Sequence, residues 1–134
     1  MLVAFAASVL FLLFLLRWCV RCGGLHWSLP HAALPPNALS GRWALVTGAT
    51  VHSIGGSVAE GLARTGCSLV VASLRLHEAE EVAQRIRRNV PNASVVRAVE
   101  LDLCSAASMI ALTRTLQELT STPLHAVCHC AGVN

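Results

Sequence analysis

The sequence predicts an α/β protein built on a doubly wound parallel sheet, preceded by one transmembrane helix. Three observations carry this. Short apolar segments alternate with amphipathic ones from Trp43 onward, the apolar segments show no polar alternation, and a long uncharged run precedes them all. Strands that are apolar on both faces are those that helices cover on both sides, which is the condition of a parallel sheet with right-handed crossovers. At 134 residues the chain has room for one domain of ordinary size.

Composition excludes several classes. Charged residues make up 13% and apolar residues 54%, which rules out a disordered or coiled-coil chain. The ten basic residues are all Arg, and Tyr and Lys are both absent, so no chemistry in this chain can rest on either. The net charge of +3 is spread along the sequence without basic runs interleaved with aromatics, and nucleic acid is not an expected partner.

In chain order, Met1 to Leu16 is unbroken by charge and is followed by Arg17, Trp18 and Arg21. With the Trp at the interface and the Arg stems snorkelling, residues 1–22 reach the ~20 that a bilayer requires and read as an anchor. A cleaved secretory signal is the rival, but the positive start and the small-x-small site of such a signal are lacking. Arg17, Arg21 and Arg42 follow the span, so the positive-inside rule puts the rest in the cytosol, on the endoplasmic reticulum or another internal membrane. Cys19 or Cys22 suits a thioester-linked lipid, inert thiols being the commoner case.

Residues 23–40, with Pro30, Pro35 and Pro36 and no period, read as a linker to a domain over 41–134. Trp43 to Thr47 is the first strand, Gly48 to Gly56 a turn, and Val58 to Arg64 a helix with Val58, Leu62 and Ala63 inward and Gly66 as its stop. Ser68 to Ser73 is a strand, and His77 to Asn89 a helix showing Ala79, Val82, Ala83 and Ile86 on one side before Pro91. Ser94 to Leu101, Ser105 to Thr120 (with Met109, Leu112, Leu116 and Leu119) and His125 to Cys130 complete the alternation.

Most of the six cysteines read as buried, reduced thiols, Cys67 and Cys104 as packing residues. His125, Cys128, His129 and Cys130 suggest metal ligands, yet neighbours on a strand point to opposite faces, and no metal is expected. His52 reads as a solvated loop residue, and Glu78, Glu80 and Glu81 as the wet face and first turn of a helix.

The turn Gly48-Ala49-Thr50-Val51-His52-Ser53-Ile54-Gly55 lies where doubly wound folds bind phosphate. Gly48 permits the tight turn, Gly55 lets the helix pack on the strand, and free amides at the helix start meet a pyrophosphate. By itself the stretch is equally a plain strand-to-helix loop.

Four stretches in order resemble the short-chain dehydrogenases/reductases. Thr47-Gly48 through Ile54-Gly55 is similar to their T-G-x-x-x-G-I-G turn, one residue longer and with Ser53 at the middle glycine. Ser73-Leu74-Arg75 resembles the end of their second strand, Asp102-Leu103 their adenine-contacting pair, and His129-Cys130-Ala131-Gly132 their Asn-Asn-Ala-Gly. The resemblance implies a Rossmann-like domain, in its first four strands, that binds a dinucleotide through Gly48, Thr50, Ser53, Ile54, Gly55, Arg75, Asp102, Leu103, Ala131 and Gly132. The family's strand order of 3-2-1-4 would make His125 to Cys130 a bare edge in this chain and leave part of one sheet face wet. Ser53 is expected to cap the helix and donate its hydroxyl to phosphate. A longer turn ending in Ser-Ile also occurs in members that reduce enoyl thioesters. Gly61 to Leu76, which spans the position about 20 residues past the glycines, has no acid for the ribose hydroxyls, while Arg75 suits a 2′-phosphate; NADP is expected over NAD.

In that family catalysis rests on a Tyr-x-x-x-Lys pair beyond the fourth strand. This chain has neither residue, so none of its residues is expected to be catalytic, and alone it is expected to be inactive. The resemblance implies the NADP(H)-binding portion of a membrane-anchored oxidoreductase acting on a carbonyl or alcohol, with a retinoid, steroid or fatty-acyl substrate suited to the anchor. The alternative is a non-catalytic, membrane-tethered nucleotide- or partner-binding protein, or a truncated reading frame. Continuation in frame beyond Asn134 to such a pair separates the two.

Overall fold

The structure, a computed structural model, describes residues 34–120 and 122–132. The expected anchor over 1–22 and most of the expected linker lie outside them. Among the described residues no helix is long and apolar enough to cross a membrane.

Four strands and three helices alternate: β1 (Trp43–Thr47), α1 (Ile54–Arg64), β2 (Ser68–Ser73), α2 (Leu76–Asn89), β3 (Val96–Glu100), α3 (Ala106–Leu119) and β4 (Ala126–His129). The strands form one parallel sheet in the order β3-β2-β1-β4. This is the doubly wound arrangement expected from the sequence. Pleating sends alternate residues to opposite faces. Ala44, Val46, Leu69 and Val71 pack with Ala59 and Ala63 of α1 and Val82 and Ile86 of α2, while Leu45, Val70 and Ala72 meet Leu112 of α3.

The physics of position explains the departures from expectation. Only the inner strands β1 and β2 are apolar and buried along nearly their whole length; β3, at one edge, is largely exposed or half-buried, and so is β4 at the other, Val127 at 60%, as the strand order implied by the resemblance requires. Helix α1 begins at Ile54, four residues ahead of expectation, because Ser53 caps it, and its inward face is Gly55, Gly56, Ala59 and Ala63. Small residues let that helix lie close to the sheet. In α3 only Leu112 is buried and Met109 is exposed, so this layer is the thinner of the two.

Residues 34–40, read from sequence as the end of the linker, are folded onto the domain. Leu39 packs against the core, and its N–H donates to the Thr65 carbonyl at 2.9 Å beside the end of α1.

Candidate functional site

The C-terminal ends of β1, β2 and β4 and the segment after β3 surround a cavity of about 480 Å³, of the size that small ligands occupy. It lies where the strand order reverses between β1 and β4, the switch point at which open α/β sheets take ligands. Gly48, Thr50, Asp102, Leu103, Ala131 and Gly132 line it, joined by Thr47, Ser73, Leu74, Cys104 and Cys130, which sequence reasoning had not placed there. Ser53, Ile54, Gly55 and Arg75 are not on its wall.

The turn after β1 is built by backbone contact. Gly48 has φ of 67°, and a Cβ there would stand 2.6 Å from the backbone of Ala131. A Cβ on Gly55 would stand 2.7 Å from the Gly48 carbonyl oxygen, and one on Gly56 would fall on the Thr50 carbonyl oxygen. Three backbone segments therefore meet without side chains between them, and the start of α1 abuts the cavity rim.

Ser53 holds this turn together. Its Oγ accepts from the N–H groups of Thr50 (2.9 Å) and Gly56 (3.0 Å) and lies 2.9 Å from the Gly48 and 3.0 Å from the Thr50 carbonyl oxygens. The expected N-cap is present. The expected hydroxyl donation to phosphate is not provided by this arrangement, because a hydroxyl has one proton and two carbonyls already compete for it. Of the first-turn donors of α1, Gly56 is satisfied by Ser53 Oγ and Ser57 by the Ser53 carbonyl. Those of Ile54 and Gly55 are left, among the described residues, as the amides an anion would meet. The Ile54 side chain itself is exposed.

Behind the turn stands Arg85, which the sequence shows only as one more charge on α2. Its Nη1 donates to the Val51 carbonyl. Its Nε makes no well-angled hydrogen bond but lies 3.4 Å from Glu60 Oε2, so its charge is compensated. The Arg64 guanidinium, 2.7 Å from Glu60 Oε1, holds the Glu60 carboxyl below its usual range against the effect of burial, with Asn89 and Arg85 adding to it. No spacing rule would find a contact between residues 34 apart.

At the end of β2, buried Ser73 donates its hydroxyl to Glu78 Oε2 at 2.5 Å, and Glu78 Oε1 lies 3.8 Å from Arg75 Nη1. Arg75, at the N-cap of α2, is turned toward that helix and largely solvated, whereas Leu74 faces the cavity. After β3, Asp102 Oδ1 accepts from the Cys104 N–H at 2.8 Å, and the Asp102 N–H donates to Ser108 Oγ at 3.0 Å. Asp102 thereby shapes the turn that brings Leu103 to the cavity. His129 Nδ1 meets Thr47 Oγ1 at 2.8 Å, and the Cys130 N–H donates to the Thr47 carbonyl at 3.2 Å.

Of the two thiols expected to be packing residues, Cys67 is one and Cys104 is not. Cys67 is buried, and burial pushes its thiol up and keeps it unreactive. Cys104 is exposed and Cys130 half-buried, and both border the cavity. The segment after a parallel strand ends at the ligand-facing edge of the sheet, so a residue beside a strand need not be in the core. His52 is exposed, as expected of a solvated loop residue.

Comparison with known proteins agrees with this geometry. The sequence model described as short chain dehydrogenase matches residues 42–134. Polyprenol dehydrogenase of Mus musculus is 42% identical over 100 residues, covering 75% of this chain; the chain spans 28% of that relative's length. Among solved structures, menthone neomenthol reductase from Mentha piperita superposes with a TM-score of 0.64 at 27% identity, over 69% of this chain and 32% of that one. A short chain dehydrogenase from Shigella flexneri complexed with NADP superposes with a TM-score of 0.62 at 26% identity, over 73% of this chain and 40% of the other.

Proposed function

Because the chain belongs to the short chain dehydrogenase family, we propose that it forms the NADP(H)-binding portion of a membrane-anchored oxidoreductase whose substrate is a lipophilic alcohol or carbonyl compound. The observation that carries this is the bare backbone approach of Gly48 to Ala131, beside a cavity and at the start of a helix with two free amides. A side chain at Gly48 or Gly55 would collide with the backbone of Ala131 or of Gly48, so the bare glycines let the turn close and bring the open amides at the start of α1 to the cavity rim, which suits a dinucleotide. When bound, that group supplies a hydride to a carbonyl or takes one from an alcohol.

The chain's own residues bind and shelter it. The Ile54 and Gly55 amides, helped by the helix dipole, hold the pyrophosphate. Leu101 and Leu103 give the adenine an apolar wall, with Asp102 setting their turn, while Ala131 and Gly132 close the far side. Arg75 swings to the 2′-phosphate; the NADP complex of the structural neighbour from Shigella flexneri supports NADP as the nucleotide, and the reach of Arg75 at the end of β2 supports its role. The apolar run over Met1 to Leu16 and the likeness to a polyprenol dehydrogenase support a membrane-borne, lipid-like substrate.

Calorimetry on the full chain in detergent tests the binding. NADP should bind more tightly than NAD, and Arg75→Ala should erase the difference; an Arg75→Ala chain that still prefers NADP refutes the assignment. For the anchor, Leu12→Arg with Leu13→Arg costs about 2.5 to 3.5 kcal/mol per residue near mid-span. The double variant should be released by carbonate, and retention would refute the anchor. This chain holds no Tyr or Lys to serve as the family's proton-transfer pair, so by itself it should bind NADPH without oxidising it in the presence of a carbonyl substrate. Turnover by the purified chain would overturn this.

A further inference from the structure

We propose that Glu78 is a specificity-determining residue that sets the balance between a 2′-phosphorylated and an unphosphorylated dinucleotide; the proposal rests on the dinucleotide reading above. In the sequence Glu78 stands beyond the stretch where a ribose-binding acid is sought, and it reads as a helix-dipole residue. The fold returns it to the strand. The Ser73 hydroxyl, 4% exposed on the cavity wall, donates to Glu78 Oε2 at 2.5 Å, which pins the carboxylate at the end of β2. The other carboxylate oxygen lies 3.8 Å from Arg75 Nη1. Leu74, between them in sequence and also on the cavity wall, brings no charge.

Two opposite charges thus stand together just past Ser73 and Leu74, off the cavity wall but next to the end of β2, where the ribose of the adenosine would lie. A 2′-phosphate carries close to two negative charges, is drawn to Arg75 and is repelled by Glu78. A 2′-hydroxyl is a donor, and the carboxylate accepts from it. Each residue favours the nucleotide that the other disfavours, and the preference is the difference between them. A phosphate must also draw Arg75 away from Glu78, whereas a hydroxyl leaves that pair in place.

The test is calorimetry of the full chain in detergent micelles with NADP and with NAD, in wild type and Glu78→Gln. The Gln side chain keeps an oxygen for the Ser73 hydroxyl and removes only the charge. The ratio of NADP to NAD affinity should rise about fivefold or more at low salt, and the gain should shrink as salt is added. Should the Gln variant melt early, Glu78→Ala should move the ratio in the same direction. Binding of both nucleotides to wild type with a ratio that changes less than twofold, or falls, overturns the role of Glu78 and leaves the dinucleotide reading standing. Failure of wild type to bind either nucleotide overturns both.

Discussion

Thr47 Oγ1 and His129 Nδ1 lie 2.8 Å apart and join the C-terminal ends of β1 and β4 beside the cavity. The two strands also share a parallel register, with Thr47 opposite His129. Since β4 is an edge strand with β1 as its one partner among the described residues, this side-chain bond reinforces the ladder where a ligand would sit. Thr47→Val keeps the shape and removes the hydroxyl. It should lower stability by about 0.5 to 1.5 kcal/mol, the usual net worth of one hydrogen bond, as read by urea unfolding. In a double-mutant cycle with His129→Leu the two losses should be non-additive.

Gly48→Ala should be among the most damaging small substitutions. It combines a left-handed backbone with a Cβ 2.6 Å from the Ala131 backbone, where no side chain can rotate away. A strained position of this kind costs on the order of 1 to 3 kcal/mol, and relief by moving β4 would deform the cavity. Calorimetry should show loss of dinucleotide binding even where circular dichroism reports retained helices.

Ser53→Ala removes the cap of α1 and two further links within the turn. An N-cap loss costs about 0.5 to 2 kcal/mol, and the upper half of that range is expected because one oxygen serves several partners. Ser53→Asp should recover much of the stability, since a carboxylate also accepts from the Thr50 and Gly56 amides. It should nevertheless bind dinucleotide more weakly than wild type, because the negative charge would stand beside the Ile54 and Gly55 amides proposed to hold the pyrophosphate.

Acid should unfold the domain partly through Glu60. Its carboxyl is held below its ordinary value near 4.5, chiefly by the hydrogen bond from Arg64. A depressed carboxyl contributes stability that is fully present above that value and is lost as pH falls through the lower folded one. Glu60→Gln should therefore be less stable than wild type at neutral pH and converge with it as pH falls from 4.5 through the lower folded value, as seen in denaturation midpoints measured from neutral to acid pH.

Much of the fold was legible because hydrophobic pattern and backbone period are local properties. The bounds of β1 and β2 and the buried residues of α2 agree with the sequence reading, since an inner strand and an amphipathic helix each carry their environment in their own residues. The thin cover given by α3 was not legible, and the exposure of β4 was expected only from the strand order that the family resemblance implies, not from any local pattern. Both depend on which strand lies at an edge, and this is a property of the whole sheet.

The sequence by itself determined where the chain turns from β1 into α1, because Gly48, Ser53 and Gly55 act on neighbours within a few residues through backbone conformation and capping. Only the tertiary structure decided what stands around that turn. Glu78 meets Ser73 and Arg75 within one βα unit, through the way β2 passes into α2, whereas Arg85 behind Val51 and Thr47 against His129 come together because the sheet brings separate βα units side by side, across separations that no local spacing encodes.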